Sequence, residues 1–202
     1  MPESDQIVPR PRYTSRIAPF VDVPVIKVIT GARRSGKSTV LDLLAQQIRQ
    51  DHPRAQVVHL NLESTAGLGI RAPAQLLDHL VTRAPDRDQR AYLFLDEIQQ
   101  VPGWERVVNA LRLDWECDIY LTGSNSRMLS GDLATHLAGR YVTTRVQPLA
   151  FAEYKALRLL GLSASGEDLP SDQELFQDYL ALGGFPGLRY FRGEREASLA
   201  YL

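Results

Sequence analysis

The sequence predicts an α/β fold built on a parallel β-sheet. Between residues 25 and 146, short apolar or β-branched segments alternate with amphipathic helical ones. This alternation is typical of parallel strands joined by right-handed helical crossovers. Beyond Pro148 only helical patterns follow, so we place a boundary near that residue. A chain of 202 residues is long enough for one such domain with a smaller appendage.

Five segments have the composition of strands, and several are apolar enough to be buried on both faces. They are residues 25–30, 57–62, 91–95, 119–122 and 141–146. Apolar residues at helical spacing indicate the intervening and following helices. These are residues 38–50, 74–83, a segment beginning at Trp104, and residues 129–137, 151–160 and 173–182.

Five prolines among the first 24 residues predict an extended N-terminal arm. We therefore divide the chain into this arm (1–24), an α/β core (25–148) and a helical segment (149–202). The last segment stops within a helical pattern, so we expect it to be incomplete at its C-terminal end.

Composition narrows the function classes. The net charge of −1 gives no general reason to expect a protein that coats nucleic acid. Residues 1–50 nevertheless carry eight basic and four acidic side chains. That basic quarter fits either a phosphate site or a mixed solvated surface. No apolar run approaches the roughly 20 residues of a membrane-spanning helix, and no signal pattern opens the chain. We expect a cytoplasmic protein with no membrane partner.

Cysteine and histidine chemistry is not indicated. A single cysteine, Cys117, excludes an internal disulfide and a cysteine-based zinc site. It lies between two acids that disfavour a thiolate, which predicts a small core residue. The four histidines have no metal-ligand spacing.

One complete motif carries most of the functional signal. Residues 31–38 read Gly-Ala-Arg-Arg-Ser-Gly-Lys-Ser, which matches the phosphate-loop pattern G-x-x-x-x-G-K-[ST]. The motif lies between a buried strand and a helix, where backbone N–H groups and the helix dipole can face an anion. Lys37 would bridge the β- and γ-phosphates of a nucleotide, and the Ser38 hydroxyl would bind Mg²⁺. We define residues 31–38 as the phosphate loop.

Two acids end the third predicted strand. Asp96 and Glu97 follow the apolar segment 91–95. The carboxyl ends of parallel strands share one edge, so Asp96 is expected beside the phosphate loop and would hold Mg²⁺. Glu97 would then polarise an attacking water molecule, which favours hydrolysis over simple binding.

Short polar residues also close the fourth predicted strand, in the run Thr-Gly-Ser-Asn-Ser from residue 122. At the same edge of the sheet, Ser124 or Asn125 would sense the γ-phosphate or orient water. The sequence does not choose between them, and an ordinary turn has the same composition.

Taken together, these motifs resemble the prokaryotic AAA+-superfamily ATPases that have an Arg-Arg-Ser-Gly-Lys-Ser loop. The resemblance is carried by the loop extended to Thr39, the run Leu-Phe-Leu-Asp-Glu-Ile-Gln from residue 93, and Leu-Thr-Gly-Ser-Asn-Ser from residue 121. Gly-Arg-Tyr from residue 139, Pro-Leu-Ala-Phe-Ala-Glu-Tyr from residue 148 and Gly-Gly-Phe-Pro from residue 183 continue the series. It runs from about residue 13 to the chain end.

The resemblance implies a P-loop core of the ASCE type with strand order 5-1-4-3-2, followed by a helical lid. Ala32, Arg33, Arg34 and Ser35 would join the two glycines, Lys37, Ser38 and Thr39 in binding nucleotide. Arg140 matches the position of an arginine finger, which would act in trans within a homo-oligomer. Its structural alternative is a pair with an acid such as Glu153. Pro186 matches a lid proline that packs on adenine.

The leading interpretation is an enzyme that binds ATP and hydrolyses it to ADP with Mg²⁺, coupled to conformational change. A second is a nucleotide-gated switch for protein or DNA clients that hardly hydrolyses. A third, a small-molecule phosphotransferase, lacks an evident acceptor motif.

Overall fold

The computed structural model describes residues 7–123, 137–163, 170–191 and 195–201. The chain divides into two compact units, each assembled from several stretches. The larger unit comprises Pro11–Gly31 and Lys37–Val146. The smaller comprises Met1–Arg10, Ala32–Gly36 and Gln147–Leu202.

The described part of the larger unit alternates strands and helices, as predicted. The strands are β1 (Ile26–Gly31), β2 (Gln56–Asn61), β3 (Ala91–Asp96), β4 (Cys117–Thr122) and β5 (Tyr141–Val146). The helices are α1 (Pro11–Ile17), α2 (Lys37–Asp51), α3 (Pro73–Arg83) and α4 (Trp104–Asp114), with 3₁₀ turns at Ala18–Phe20 and Ile98–Gln100. Except for α1, the ends that were predicted agree with the observed ones to within two residues.

All five strands form one sheet in the order β2-β3-β4-β1-β5, and every neighbouring pair is parallel. This is the order 5-1-4-3-2 that the family resemblance implied, read from the other edge, so the predicted fold class is confirmed. Because the strands run the same way, their carboxyl ends all open onto one edge of the sheet.

Apolar side chains on both faces of the sheet form the core. Along β3, Leu93 and Leu95 pack with α3 and α4 on one face, whereas Tyr92 and Phe94 pack with α2 on the other. Side chains of a strand alternate between faces, so a strand covered on both must be apolar at every position. This explains the uninterrupted apolar run of residues 91–95.

The prediction of an extended N-terminal arm is wrong for residues 11–17, which form helix α1. Proline is compatible with the first helical turn, where its missing N–H has no helical partner. Pro11 opens the helix, and Tyr13 and Ile17, four residues apart, are buried in the same core cluster as α2. Burial of this helical stripe outweighs the proline density from which an extended arm was predicted.

The predicted helix at 129–137 falls almost entirely outside the described residues. None of the helices in the described part of the chain has the length and apolarity needed to cross a bilayer.

The C-terminal stretch of the smaller unit forms helices where it is described. It contains α5 (Phe151–Ser163), α6 (Asp172–Leu182), a 3₁₀ helix (Pro186–Phe191) and α7 (Arg195–Tyr201). Its own apolar cluster joins the N-terminal arm to the helices through Val8, Leu149, Tyr154, Leu157 and Leu175. Helix α6 begins with a capping box between Ser171 and Glu174, whose carboxylate also accepts the Ser171 N–H.

A buried ion pair lies near the amino ends of the strands in the larger unit. Lys27 on β1 is paired with Asp118 on β4, and both side chains are 1% exposed. Asp118 also accepts hydrogen bonds from the Tyr120 hydroxyl at 2.9 Å and from the Asp22 N–H at 3.0 Å. Burial lowers the pKa of Lys27, and the adjacent Asp118 carboxylate opposes that shift.

We predict that Lys27→Met lowers the free energy of unfolding by about 3–5 kcal/mol, because it leaves Asp118 charged and buried without its cation. Urea denaturation measures this change. The double variant Lys27→Met/Asp118→Leu, which removes both charges, should recover most of the loss. An unchanged urea midpoint in the single variant would show that the pair does not support the fold.

Candidate functional site

The strand register brings polar side chains together at the carboxyl edge of the sheet. Asn61, the last residue of β2, lies opposite Asp96 on β3. Thr122 ends β4 on the other side. Asn61 Nδ2 donates to Asp96 Oδ2 at 2.9 Å, and the Thr122 hydroxyl donates to Asp96 Oδ1. Asp96 is 1% exposed, so these two contacts fix the orientation of a buried carboxylate.

Glu97 is held in a second set of contacts one residue further on. Its N–H donates to Thr122 Oγ1 at 2.9 Å, so one hydroxyl contacts both acidic residues. Its carboxylate lies 3.3 Å from Lys37 Nζ and accepts a hydrogen bond from Gln99 Nε2. The backbone of Glu97 is left-handed, with φ 55° and ψ 49°. This conformation is unusual for a residue with a side chain, and such outliers cluster at functional sites.

Helix α2 starts at the end of the phosphate loop. Lys37 is its first residue and is 4% exposed, although it is a lysine. Ser38 is exposed and Thr39 is half-buried in the first turn, which contains no acidic side chain. The first turn of α2 therefore supplies no acidic side chain of its own to the positive end of the helix dipole.

Loop residues Ala32–Gly36 belong to the smaller unit. The Ser35 N–H donates to the Ala32 carbonyl at 3.2 Å, which closes a turn. Arg34 and Gly36 have positive φ angles of 66° and 93°. Ala32, Arg33 and Arg34 are exposed, whereas Ser35 is fully buried, and its hydroxyl is among the few buried polar atoms without a hydrogen bond in the described residues.

Pro186 lies beside this loop within the smaller unit. A Cβ atom placed on Gly36 would come within 3.6 Å of Pro186 Cγ. Pro186 opens a 3₁₀ helix and is half-buried. The predicted contact between this proline and adenine stays a prediction.

Arg140 is exposed, just before β5, and its Nη1 donates to Asn109 Oδ1 at 3.3 Å. Glu153, the acid considered as its structural partner, instead binds Arg10. The finger role of Arg140 stays a prediction. Ser124 and Asn125, the two candidates for the γ-phosphate sensor, lie outside the described residues.

Asn61, Thr122, Gln99 and Arg10 were not predicted as site residues. The parallel sheet carried a signal for two of them, because Asn61 and Thr122 are the polar residues that end strands on either side of Asp96. The sequence gives no comparable signal for Gln99 or Arg10, since their contacts depend on the fold.

Asp42, whose charge interacts with that of Asp96, has a shifted pKa. Burial raises the pKa of Asp42 on α2, the charge of Asp96 adds to the shift, and His59 opposes it. His59 Nδ1 lies 3.4 Å from Asp42 Oδ1. Within the described residues, no group of three or more His, Cys, Asp or Glu side chains forms a metal cluster.

Cys117 is the first residue of β4, at the opposite end of the strand from Thr122. Burial, helped by the charge of Asp118, raises the pKa of its thiol to about 12. A thiol that remains protonated is a poor nucleophile, in accordance with the structural role predicted for it.

Comparisons with known proteins show what this chain is similar to. A family model described as an AAA domain matches residues 24–155. An uncharacterized protein of Haemophilus influenzae is 36% identical over 188 residues, which cover 92% of this chain and 45% of that protein. An uncharacterized protein of Methanocaldococcus jannaschii is 32% identical over 163 residues, covering 80% and 35%. The chain thus spans less than half the length of these curated relatives.

Solved structures share the fold at low identity. The Walker-type ATPase PABY2304 of Pyrococcus abyssi aligns with a TM-score of 0.64 and 16% identity, over 96% of this chain and 71% of that one. Cdc6p of Pyrobaculum aerophilum gives 0.67 and 15%, over 100% and 65%. AMPPCP-bound DnaA of Aquifex aeolicus gives 0.55 and 13%, over 93% and 58%. These likenesses show the fold alone.

We predict that Thr122→Val lowers the free energy of unfolding by about 1–3 kcal/mol, because it removes a buried hydroxyl and leaves Asp96 Oδ1 and the Glu97 N–H unsatisfied. Chemical denaturation measures the loss. Thr143→Val, at an exposed position on β5, is the matched control and should change stability by about 0.5 kcal/mol or less. Equal effects of the two substitutions would contradict the role assigned to the Thr122 hydroxyl.

Proposed function

Because the chain belongs to the AAA domain family and has the fold of P-loop ATPases, we propose that it binds ATP and hydrolyses it to ADP and phosphate with Mg²⁺. The cycle would change the conformation of the protein. The observation that carries the proposal is the 3.3 Å contact between Lys37 Nζ and Glu97 Oε1. It brings the lysine of a complete phosphate-loop motif to the acid expected to activate water.

The phosphates would be bound by backbone N–H groups of the phosphate loop, from Gly31 through Ser35 and Gly36 to Ser38 and Thr39, and by Lys37. Lys37 would exchange its contact with Glu97 for phosphate oxygens. Both are cation–anion contacts, so the exchange keeps the buried ammonium paired. Pro186, which lies close to Gly36, would contact the adenine ring.

The residues at the sheet edge fit a magnesium site. Mg²⁺ prefers oxygen ligands, and Ser38 and Asp96 offer a hydroxyl and a carboxylate. Asp96 is prevented from turning away by Asn61 and Thr122. When bound, Mg²⁺ would neutralise charge on the phosphates.

Glu97 would act as the general base toward water once Lys37 binds phosphate. Arg140 from a neighbouring subunit would stabilise charge on the transferred phosphoryl group, and Ser124 or Asn125 would sense it. Residues 149–202 would serve as the lid that responds to the nucleotide.

A second candidate is a nucleotide-gated switch with little hydrolysis, whose client would be a protein or DNA. It is favoured by the contacts of Glu97, since both of its carboxylate oxygens already have hydrogen-bonding or ionic partners in Gln99 and Lys37. Each oxygen still has a second lone pair, so these contacts restrict the approach of water to the carboxylate without excluding it. Turnover measured beside nucleotide affinity separates the two candidates.

We predict that Glu97→Gln lowers the rate of ATP hydrolysis by about 100-fold or more, because an amide cannot serve as the base. Affinity for Mg·ATP should stay within about threefold, since Lys37 and the loop amides remain. Phosphate release and calorimetry measure the two quantities. Asp114→Asn, at an exposed acid ending α4, should change neither. Normal turnover in Glu97→Gln would refute the assignment.

We further predict that Arg140→Ala loses hydrolysis but recovers part of it when mixed with Glu97→Gln. In a mixed oligomer, the Glu97→Gln subunit supplies Arg140 and the Arg140→Ala subunit supplies Glu97. Size measurement with a non-hydrolysable ATP analogue should show assembly. A persistent monomer, or no recovery in the mixture, would exclude action in trans and favour the switch.

A further inference from the structure

Arg10, which directly precedes helix α1, makes several polar contacts within the smaller unit. Its side chain is 2% exposed. Nη1 donates to the Ser35 carbonyl at 2.9 Å, and Nη2 donates to the Gln147 carbonyl at 2.9 Å. Nε and Nη2 also donate to the two Glu153 carboxylate oxygens at 3.2 and 3.1 Å. A buried guanidinium is tolerated because a carboxylate and backbone carbonyls pair it.

The contact with Ser35 has a consequence for the phosphate loop. The described peptide bonds are all trans. In a planar trans peptide, the carbonyl and the N–H point in opposite directions. The Ser35 carbonyl points toward Arg10, so the N–H of Gly36 in the same peptide points away from it. Arg10 therefore fixes the direction of one loop amide without contacting that amide.

Gly36 shows how tightly Arg10 and the loop fit together. Its φ of 93° disfavours any residue with a side chain, and an added Cβ would lie 3.1 Å from Arg10 Nη1. The arm can approach the loop backbone this closely because glycine occupies the position. Movement of the guanidinium would release the Ser35–Gly36 peptide.

Glu153 holds the other side of the guanidinium. It lies in the first turn of α5 and also accepts the Ala150 N–H at 2.8 Å. The bidentate pair supplies the negative charge that the buried guanidinium requires. Three chain segments, namely the arm, the loop and the start of α5, are thus connected through one side chain.

We propose that Arg10 is a positioning residue for phosphate binding, which holds the Ser35–Gly36 peptide so that the Gly36 N–H faces the phosphates. This inference rests on the proposed function. Arg10 acts through the loop backbone and does not touch the ligand, so it is not a catalytic residue. Substitution of Arg10 should therefore weaken the binding of any ligand that carries these phosphates, whether or not the ligand has a nucleobase.

The test measures the Kd of Mg·ADP and of Mg·pyrophosphate, which lacks a base, by calorimetry. Arg10→Met should weaken both ligands by about tenfold or more. Arg10→Lys keeps the charge but cannot serve all the acceptors at once, so it should weaken both by about three- to tenfold. Arg16→Met, at an exposed arginine of α1, is the matched control and should bind like the wild type.

Glu153→Gln separates positioning from general support of the fold. It breaks the ion pair and keeps the donor to Ser35, so its melting temperature should fall while both Kd values stay within about threefold. Unchanged affinity for both ligands in Arg10→Met would overturn the proposal, and so would a loss confined to Mg·ADP. If Arg10→Met does not fold, wild-type affinity in Arg10→Lys overturns it. Failure of the folded wild type to bind Mg·ADP or Mg·ATP refutes the proposed function itself.

Discussion

The parallel direction of all five strands is the constraint on which the candidate site depends. It places the ends of β2, β3 and β4 side by side, so Asn61, Asp96 and Thr122 become neighbours although they are far apart in sequence. The strand that leads into the phosphate loop ends at the same edge. Reversing one strand would move its polar terminus to the opposite edge of the sheet and separate that side chain from the other two. The chemistry proposed for this chain is thus a property of the topology as much as of the residues.

The fold was largely predictable because its signals are local. Residues 91–95 are apolar at every position, and helices α2 and α4 have apolar stripes at helical spacing, so composition and periodicity were sufficient. Helix α1 escaped prediction because proline is ambiguous: it is frequent in extended arms and also at the first turn of a helix. Burial of Tyr13 and Ile17 favours the helix over the extended arm, and this burial depends on tertiary packing that the local sequence does not show.

The candidate site was predictable only where one short motif contains the chemistry. Lys37, Asp96 and Glu97 carry their signal in their immediate neighbours. Thr122 does not, because its importance lies in accepting one hydrogen bond and donating another across two strands. Arg10 is 25 residues from Ser35 and 143 from Glu153. No local pattern in a single sequence predicts contacts between positions so far apart.

The left-handed backbone at Glu97 bears on how proteins of this kind can diverge. Asparagine and glycine occupy that region of backbone space at lower free energy than glutamate does. Replacement by either would relax the backbone, but it would also remove the carboxylate that lies 3.3 Å from the buried Lys37 Nζ. The contact with Lys37 offsets the conformational cost of glutamate at this position, so the end of β3 combines a strained backbone with charge pairing in a single residue.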